Sequence, residues 1–165
     1  MILVAGVGNI FFGDDAFGSE VARRMMGRFD SPTVRIIDFG IRGLDLAYTL
    51  TDGYDASIIV DTLTRNGEAG TIYVVEPDLN ELDLATAAIE AHAMDPLRVL
   101  AVARSMGAEI RNIRIVGCEP ETLCPDEGHM GLSPRVDAAV EPAIQVVQSL
   151  IEKFLIHSIT KEALV

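Results

Sequence analysis

The chain has 165 residues, about one domain's length, and 49% of them are hydrophobic while only 5% are aromatic, with no Trp. Its core must therefore be aliphatic. Lys and Arg number 13 against 25 Asp and Glu, a net charge of −12, and a surface this acidic excludes phosphate backbones and anionic headgroups as partners, while the abundant aliphatics exclude disorder.

The apolar start Ile2-Leu3-Val4-Ala5 follows no basic residue and runs into Gly6-Val7-Gly8-Asn9. It reads as a first strand, Ile2 to Val7, and a turn, not a signal peptide. Phe17, Val21, Met25 and Phe29 then fall at helical spacing, interleaved with Arg23, Arg24 and Arg28. A second strand, Val34 to Asp38, carries an inserted Arg35 that points to a position nearer the sheet edge. A helix follows over Leu44 to Leu50. Ala56 to Asp61 has no charge until its end, the pattern of a central strand buried on both faces.

Thr71 to Val75 is the fourth strand. Only nine residues, Thr62 to Gly70, separate it from the third, too few for a helical crossover. It is expected to run antiparallel to the third strand, hairpin-fashion. After the long segment Glu76 to Ala93, Asp95 is the N-cap of a helix with Pro96 in its first turn and Gly107 past its end. The fifth strand is Ile113 to Val116. Ser133-Pro134 opens a last helix that turns Val136, Val140, Ile144, Val147 and Ile151 inward and kinks at Pro142. Alternating strands and helices predict a three-layer α/β/α fold with a mixed five-stranded sheet, the fourth strand antiparallel. No stretch is apolar for the ~18 residues of a membrane span. Cys118 and Cys124 cannot build a disulfide framework, and a cytoplasmic location is expected.

In open α/β sheets ligands bind at the carboxyl ends of the parallel strands. Strand one ends into the loop with Asp14-Asp15, strand three ends at Asp61, and His92 precedes a helix that must start at the same edge. The topology thus brings Asp15, Asp61 and His92 to one crevice. Two carboxylates and an imidazole suit a borderline divalent ion such as zinc, nickel or manganese. Each residue also has an ordinary reading. Asp14 or Asp15 caps the first helix, Asp61 forms a turn, and His92 is a solvated loop residue. Their convergence favours the functional reading.

Two other chemistries fit less well. A dinucleotide fingerprint at Gly6-Val7-Gly8 lacks its third glycine at Phe11, and Asp14-Asp15 would meet the pyrophosphate. The spacing of Cys118, Cys124 and His129 matches no common zinc site, and neither thiol has the flanking residues of a nucleophile.

The opening Gly6-Val7-Gly8-Asn9 followed by Asp14-Asp15-Ala16-Phe17-Gly18 resembles that of the hydrogenase maturation endopeptidases. So do Gly40-Ile41-Arg42-Gly43-Leu44-Asp45-Leu46, Asp61 after Ile58-Ile59-Val60, His92, Gly117-Cys118-Glu119-Pro120-Glu121-Thr122-Leu123 and Leu132-Ser133-Pro134. The resemblance covers about residues 1–155. It implies a single protease domain over 1–156 with a C-terminal tail at 157–165, and the mixed sheet already read from the pattern. It further implies an endopeptidase that removes a short C-terminal extension from the large-subunit precursor of nickel-iron hydrogenase once nickel is in place. The family's metal positions map onto Asp15, Asp61 and His92, with Asp61 and Asp15 the catalytic candidates. Many relatives carry Glu where this chain has Asp15, so its carboxylate is one methylene shorter. Nickel is expected to arrive with the substrate, and a zinc- or cadmium-like ion to take the same site in crystals. The partner is the precursor protein, and the enzyme is expected to be a monomer. A non-catalytic nickel-checking module, or a related peptidase with another substrate, is the alternative.

Overall fold

Strand β1, Ile2–Val7, is buried along its whole length and lies inside a five-stranded sheet of order β2-β1-β3-β5-β4. The computed structural model describes residues 1–29, 31–81, 95–123 and 128–162. Strands β2 (Val34–Gly40), β3 (Ala56–Thr62) and β5 (Asn112–Cys118) run parallel to β1, and β4 (Ile72–Val75) runs antiparallel. β3 is central and buried except at its last residue, while β2 forms an edge with Arg35 exposed, as its composition predicted.

Helices cover both faces, and the alternation along β1 decides which side chains meet them. Ile2 and Val4 join Phe17, Val21 and Met25 of helix α1 (Phe17–Met26) in one core. The last helix, α4 (Pro134–Glu162), supplies Val136, Val140, Ile144, Val147 and Ile151 to the same core. On the opposite face Leu3, Ala5 and Val7 pack with Leu46 and Leu50 of α2 (Gly43–Leu50) and Leu100 of α3 (Pro96–Ser105). Each such fully buried Leu, Phe or Ile contributes about 1.5–3 kcal/mol. The result is the three-layer α/β/α arrangement expected. Asp95 caps α3 by accepting from the Leu97 N–H at 2.9 Å, with Pro96 in the first turn. α4 continues through Pro142 and past residue 156, the expected domain end, to Glu162.

One expectation is overturned. β4 does have the direction opposite to β3, but it forms no hairpin with it, because β5 lies between them. The short connection after β3 crosses over the end of β5. Leu63 N–H donates to the Cys118 carbonyl at 2.9 Å, and Gly70 N–H to the Glu119 carbonyl at 2.9 Å. Adjacent strands lie about 4.8 Å apart, so an eight- or nine-residue link spans two spacings easily. Loop length excluded a helical crossover but did not choose the neighbour.

No helix among the described residues is long and apolar enough to cross a membrane.

Candidate active site

The turn after β1 is shaped by glycine. Gly8 has φ +145°, and a Cβ there would collide with the Asp15 carbonyl. Its N–H donates to Gly40 O at 3.0 Å, and its carbonyl accepts from the Ser19 hydroxyl at 3.3 Å. The chain then closes a 3₁₀ turn over Gly13–Ala16 that leads into α1. Helix α1 lies close on the sheet, because a Cβ on Gly18 would run into the Val7 and Val60 carbonyls.

This turn holds Asp15 over the end of β3. Its Oδ2 accepts from the Asn9 N–H at 3.0 Å and its Oδ1 from the Thr62 hydroxyl at 3.4 Å. Asp61 is 5% exposed, and its Oδ1 accepts from the Thr62 N–H at 2.7 Å. The two carboxylates therefore flank a single residue, Thr62. Burial pushes the Asp61 carboxyl well above the usual range. The Thr62 N–H opposes this, while the charges of Asp15 and Asp95 add to it. Asp15 and Asp61 are thus brought together as the topology required. His92, the third residue of the expected trio, lies outside the described residues. Among those described, no group of three His, Cys, Asp or Glu side chains gathers to hold a metal. Two carboxylates are hard oxygen donors of the kind a divalent ion takes, and a cation held by them would offset the burial and the Asp15 charge that raise Asp61.

Asp14 and Asp15, adjacent in sequence, do different things, and neither caps α1 through its side chain. Asp14 is fully buried. It accepts from the N–H groups of Glu121 (2.8 Å), Thr122 (2.9 Å) and Ser133 (2.6 Å), and from the Ser133 hydroxyl (3.0 Å). A third buried acid, Glu119, escaped sequence reasoning as a structural anchor. It accepts from the Arg65 N–H at 2.8 Å and the Tyr73 hydroxyl at 3.0 Å. Burial acts to raise its carboxyl, but the donors at Arg65, Tyr73, Gly67 and Asn66 outweigh it, so its pKa lies below the ordinary value. The only sequence signal was an acid following an apolar strand end.

Cys118 is buried in the core with its thiol toward the Glu119 carbonyl at 3.7 Å. Burial, then the charges of Asp14 and Glu119, push its pKa up to about 12. A thiol so held is no nucleophile. Cys124 lies outside the described residues.

Two adjoining hollows of about 440 and 340 Å³ open along the turn after β1 and the start of α1. Ile10, Ser19 and Asp38 line both, and Gly8 and Asn9, which back Asp15, line the second. Ile10, Phe11, Ile41 and Met130 expose apolar surface along them.

Comparison with known proteins gives a consistent family. Residues 19–150 match the model of the hydrogenase maturation protease family. The hydrogenase 2 maturation protease of Escherichia coli is 32% identical over 99% of this chain and 98% of its own length. The solved hydrogenase maturating endopeptidase HybD from E. coli superposes with a TM-score of 0.74 at 30% identity, over 92% of both chains. The crystal structure of a hydrogenase 2 maturation peptidase from a Thaumarchaeota archaeon gives 0.70 at 28% identity, over 92% of this chain and 97% of that one.

Proposed function

The chain belongs to the hydrogenase maturation protease family and is a peptidase, and we propose that it removes the C-terminal extension of a nickel-loaded hydrogenase large-subunit precursor. The observation that carries this reading is the Asp15–Thr62–Asp61 cluster at the carboxyl edge of the sheet. Asp15 and Asp61, with His92 as the third ligand, contact the nickel that the precursor brings. The precursor's own groups complete the ion's coordination, so the enzyme tests whether the metal has been loaded. The same positions would accept a zinc- or cadmium-like ion in crystals.

Asp61 is the proton acceptor in this reading. Burial raises its pKa above an ordinary carboxyl's, and a carboxylate within reach of the attacking water is a suitable general base. It takes a proton from a water polarised by the substrate's nickel, and the resulting hydroxide adds to the scissile carbonyl carbon. The proton then passes to the leaving amine as the C–N bond breaks. The hollow lined by Asn9, which bonds Asp15, and by the exposed Ile10, Phe11 and Ile41 offers room for part of an extended polypeptide. The enzyme works as a cytoplasmic monomer.

The test is incubation of purified protein with nickel-loaded and nickel-free precursor. Cleavage and tight binding of the loaded form alone support the reading, and His92→Ala should shrink the difference in affinity. Binding without a smaller product would make the protein a nickel-checking module. Equal cleavage of both forms would show that the trio does not read nickel.

A further inference from the structure

We propose that residues 117–122 form a positioning strap, in which Asp14 and Glu119 fix the spacing between the turn that carries Asp15 and the strand end that carries Asp61. The inference builds on the site described under Proposed function, and it concerns positioning residues that touch no substrate. The strap begins beside Asp61. In the parallel register Asp61 lies opposite Gly117 and Thr62 opposite Cys118. A Cβ on Gly117 would press into the Leu63 side chain, so only glycine lets the strand leaving Asp61 pass this closely.

The next residue binds the loop that follows. Glu119 N–H donates to Thr71 O at 2.9 Å, its carbonyl accepts from Gly70 N–H, and its carboxylate takes the Arg65 N–H and the Tyr73 hydroxyl. The link between β3 and β4 is thereby wrapped around one side chain. Two residues further on the strap reaches the other acid-bearing loop. Glu121 and Thr122 donate their N–H groups to Asp14, and Thr122 O accepts from Asp14 N–H at 3.2 Å. Gly13 N–H is held alongside by the His129 carbonyl. Only three residues, 118–120, therefore lie between Gly117, the neighbour of Asp61, and Glu121, a partner of Asp14, and Asp15 follows Asp14 directly.

The chemistry of the two anchors favours positioning over simple stability. Asp14 accepts backbone N–H groups on both of its oxygens, so an amide there would set its NH₂ against one of them, and Glu119 accepts the Arg65 N–H and the Tyr73 hydroxyl on one oxygen. Neither acid is ion-paired among the described residues. Buried polar groups of this kind are costly compared with apolar packing, and specifying one geometry is an attested use for them.

The test uses Glu119→Gln, the milder Tyr73→Phe and Ser133→Ala, and the core control Val147→Ala. Two amides report the site directly. Asn9 N–H is bonded to Asp15 Oδ2 and Thr62 N–H to Asp61 Oδ1. In Glu119→Gln these amides should exchange at least about tenfold faster while those of the β1 and β3 interior keep their protection. On loaded precursor, kcat should fall roughly ten- to a hundredfold with KM within about twofold, the scale of a small misplacement at a reacting centre. Tyr73→Phe and Ser133→Ala should show the same split in smaller measure, and they decide the matter if Glu119→Gln does not fold. Val147→Ala should lower the melting temperature without changing kcat of the folded protein. Unchanged amides and unchanged kcat in the folded strap variants would overturn the proposal, as would a loss no larger than that of the core control at matched stability. Wild-type protein that leaves the precursor uncut would sink the reading of the site instead, and the two amides alone would then judge the strap.

Discussion

The Thr62 hydroxyl donates to Asp15 Oδ1 at 3.4 Å, joining the end of the third strand to the turn after the first. The same residue's N–H donates to Asp61. One threonine therefore bonds both acids of the site, using its side chain for one and its backbone for the other.

Thr62→Val should keep the backbone bond and the β-branched shape while losing the bond to Asp15. Stability should fall by about 1 kcal/mol. Cleavage of loaded precursor should drop by more than that change accounts for, because Asp15 loses its tie to Asp61. Thr62→Ser should recover most of the activity. Steady-state kinetics with urea melts of the three proteins check this, and a fully active valine variant would show that the bridge is incidental.

Asp61→Asn should abolish processing and still fold, and its effect on stability should depend on pH. Burial, opposed by the Thr62 N–H and supported by the charges of Asp15 and Asp95, raises the folded-state pKa of Asp61 above that of the unfolded chain. Between those two values the unfolded chain has released its proton and the folded one has not. The wild type therefore loses stability as pH rises through that window. Asparagine has no proton to lose. Relative to wild type, the variant should become more stable as pH climbs through the window that opens at the unfolded chain's ordinary carboxyl pKa, and the difference should level off at lower pH, where both states are protonated. Thermal melts across that range give the curve, and a difference that shrinks with rising pH contradicts the raised pKa.

Gly18→Ala should be severely destabilising. The added methyl would meet the backbone carbonyls of Val7 and Val60, which sit in buried strands and cannot step aside as a flexible side chain does. Overpacking of this kind costs about 1–3 kcal/mol or more. Since α1 follows the turn carrying Asp15, any accommodation should also disturb the site. Urea unfolding and cleavage measured together test both parts, and a variant that matches wild type in both would mean that the helix can lift freely.

Cys118 should be inert in the folded protein. With its thiol pushed up to about 12 and its side chain buried, almost no thiolate is present at pH 8. Iodoacetamide should leave the Cys118 peptide unmodified by mass spectrometry until denaturant is added. Cys118→Ala should process precursor at nearly the wild-type rate. Rapid native alkylation, or a dead alanine variant that is still folded, would give the thiol a part in the chemistry.

The sequence by itself determined the elements, their faces and the edge at which the chemistry gathers. The 3.6-residue spacing of Val21 and Met25 in α1, and of Val136, Val140, Ile144, Val147 and Ile151 in α4, marked the faces that these helices bury. The charge-free run of Ala56 to Val60 marked the central strand, and Asp61 stood at its end because strand direction follows from chain order. What only the tertiary structure decided depends on partners distant in the chain. The pairing of β4 with β5 is such a case, since loop length limits reach without choosing a neighbour. The division of labour between Asp14 and Asp15 is another. Both are acids in the same turn, and what separates them is that Asp14 faces the N–H groups of Glu121, Thr122 and Ser133 while Asp15 faces Thr62. The role of Glu119 was hidden for the same reason, because the backbone donors that surround its carboxylate are present in every sequence and become a site only when the fold turns them toward one point.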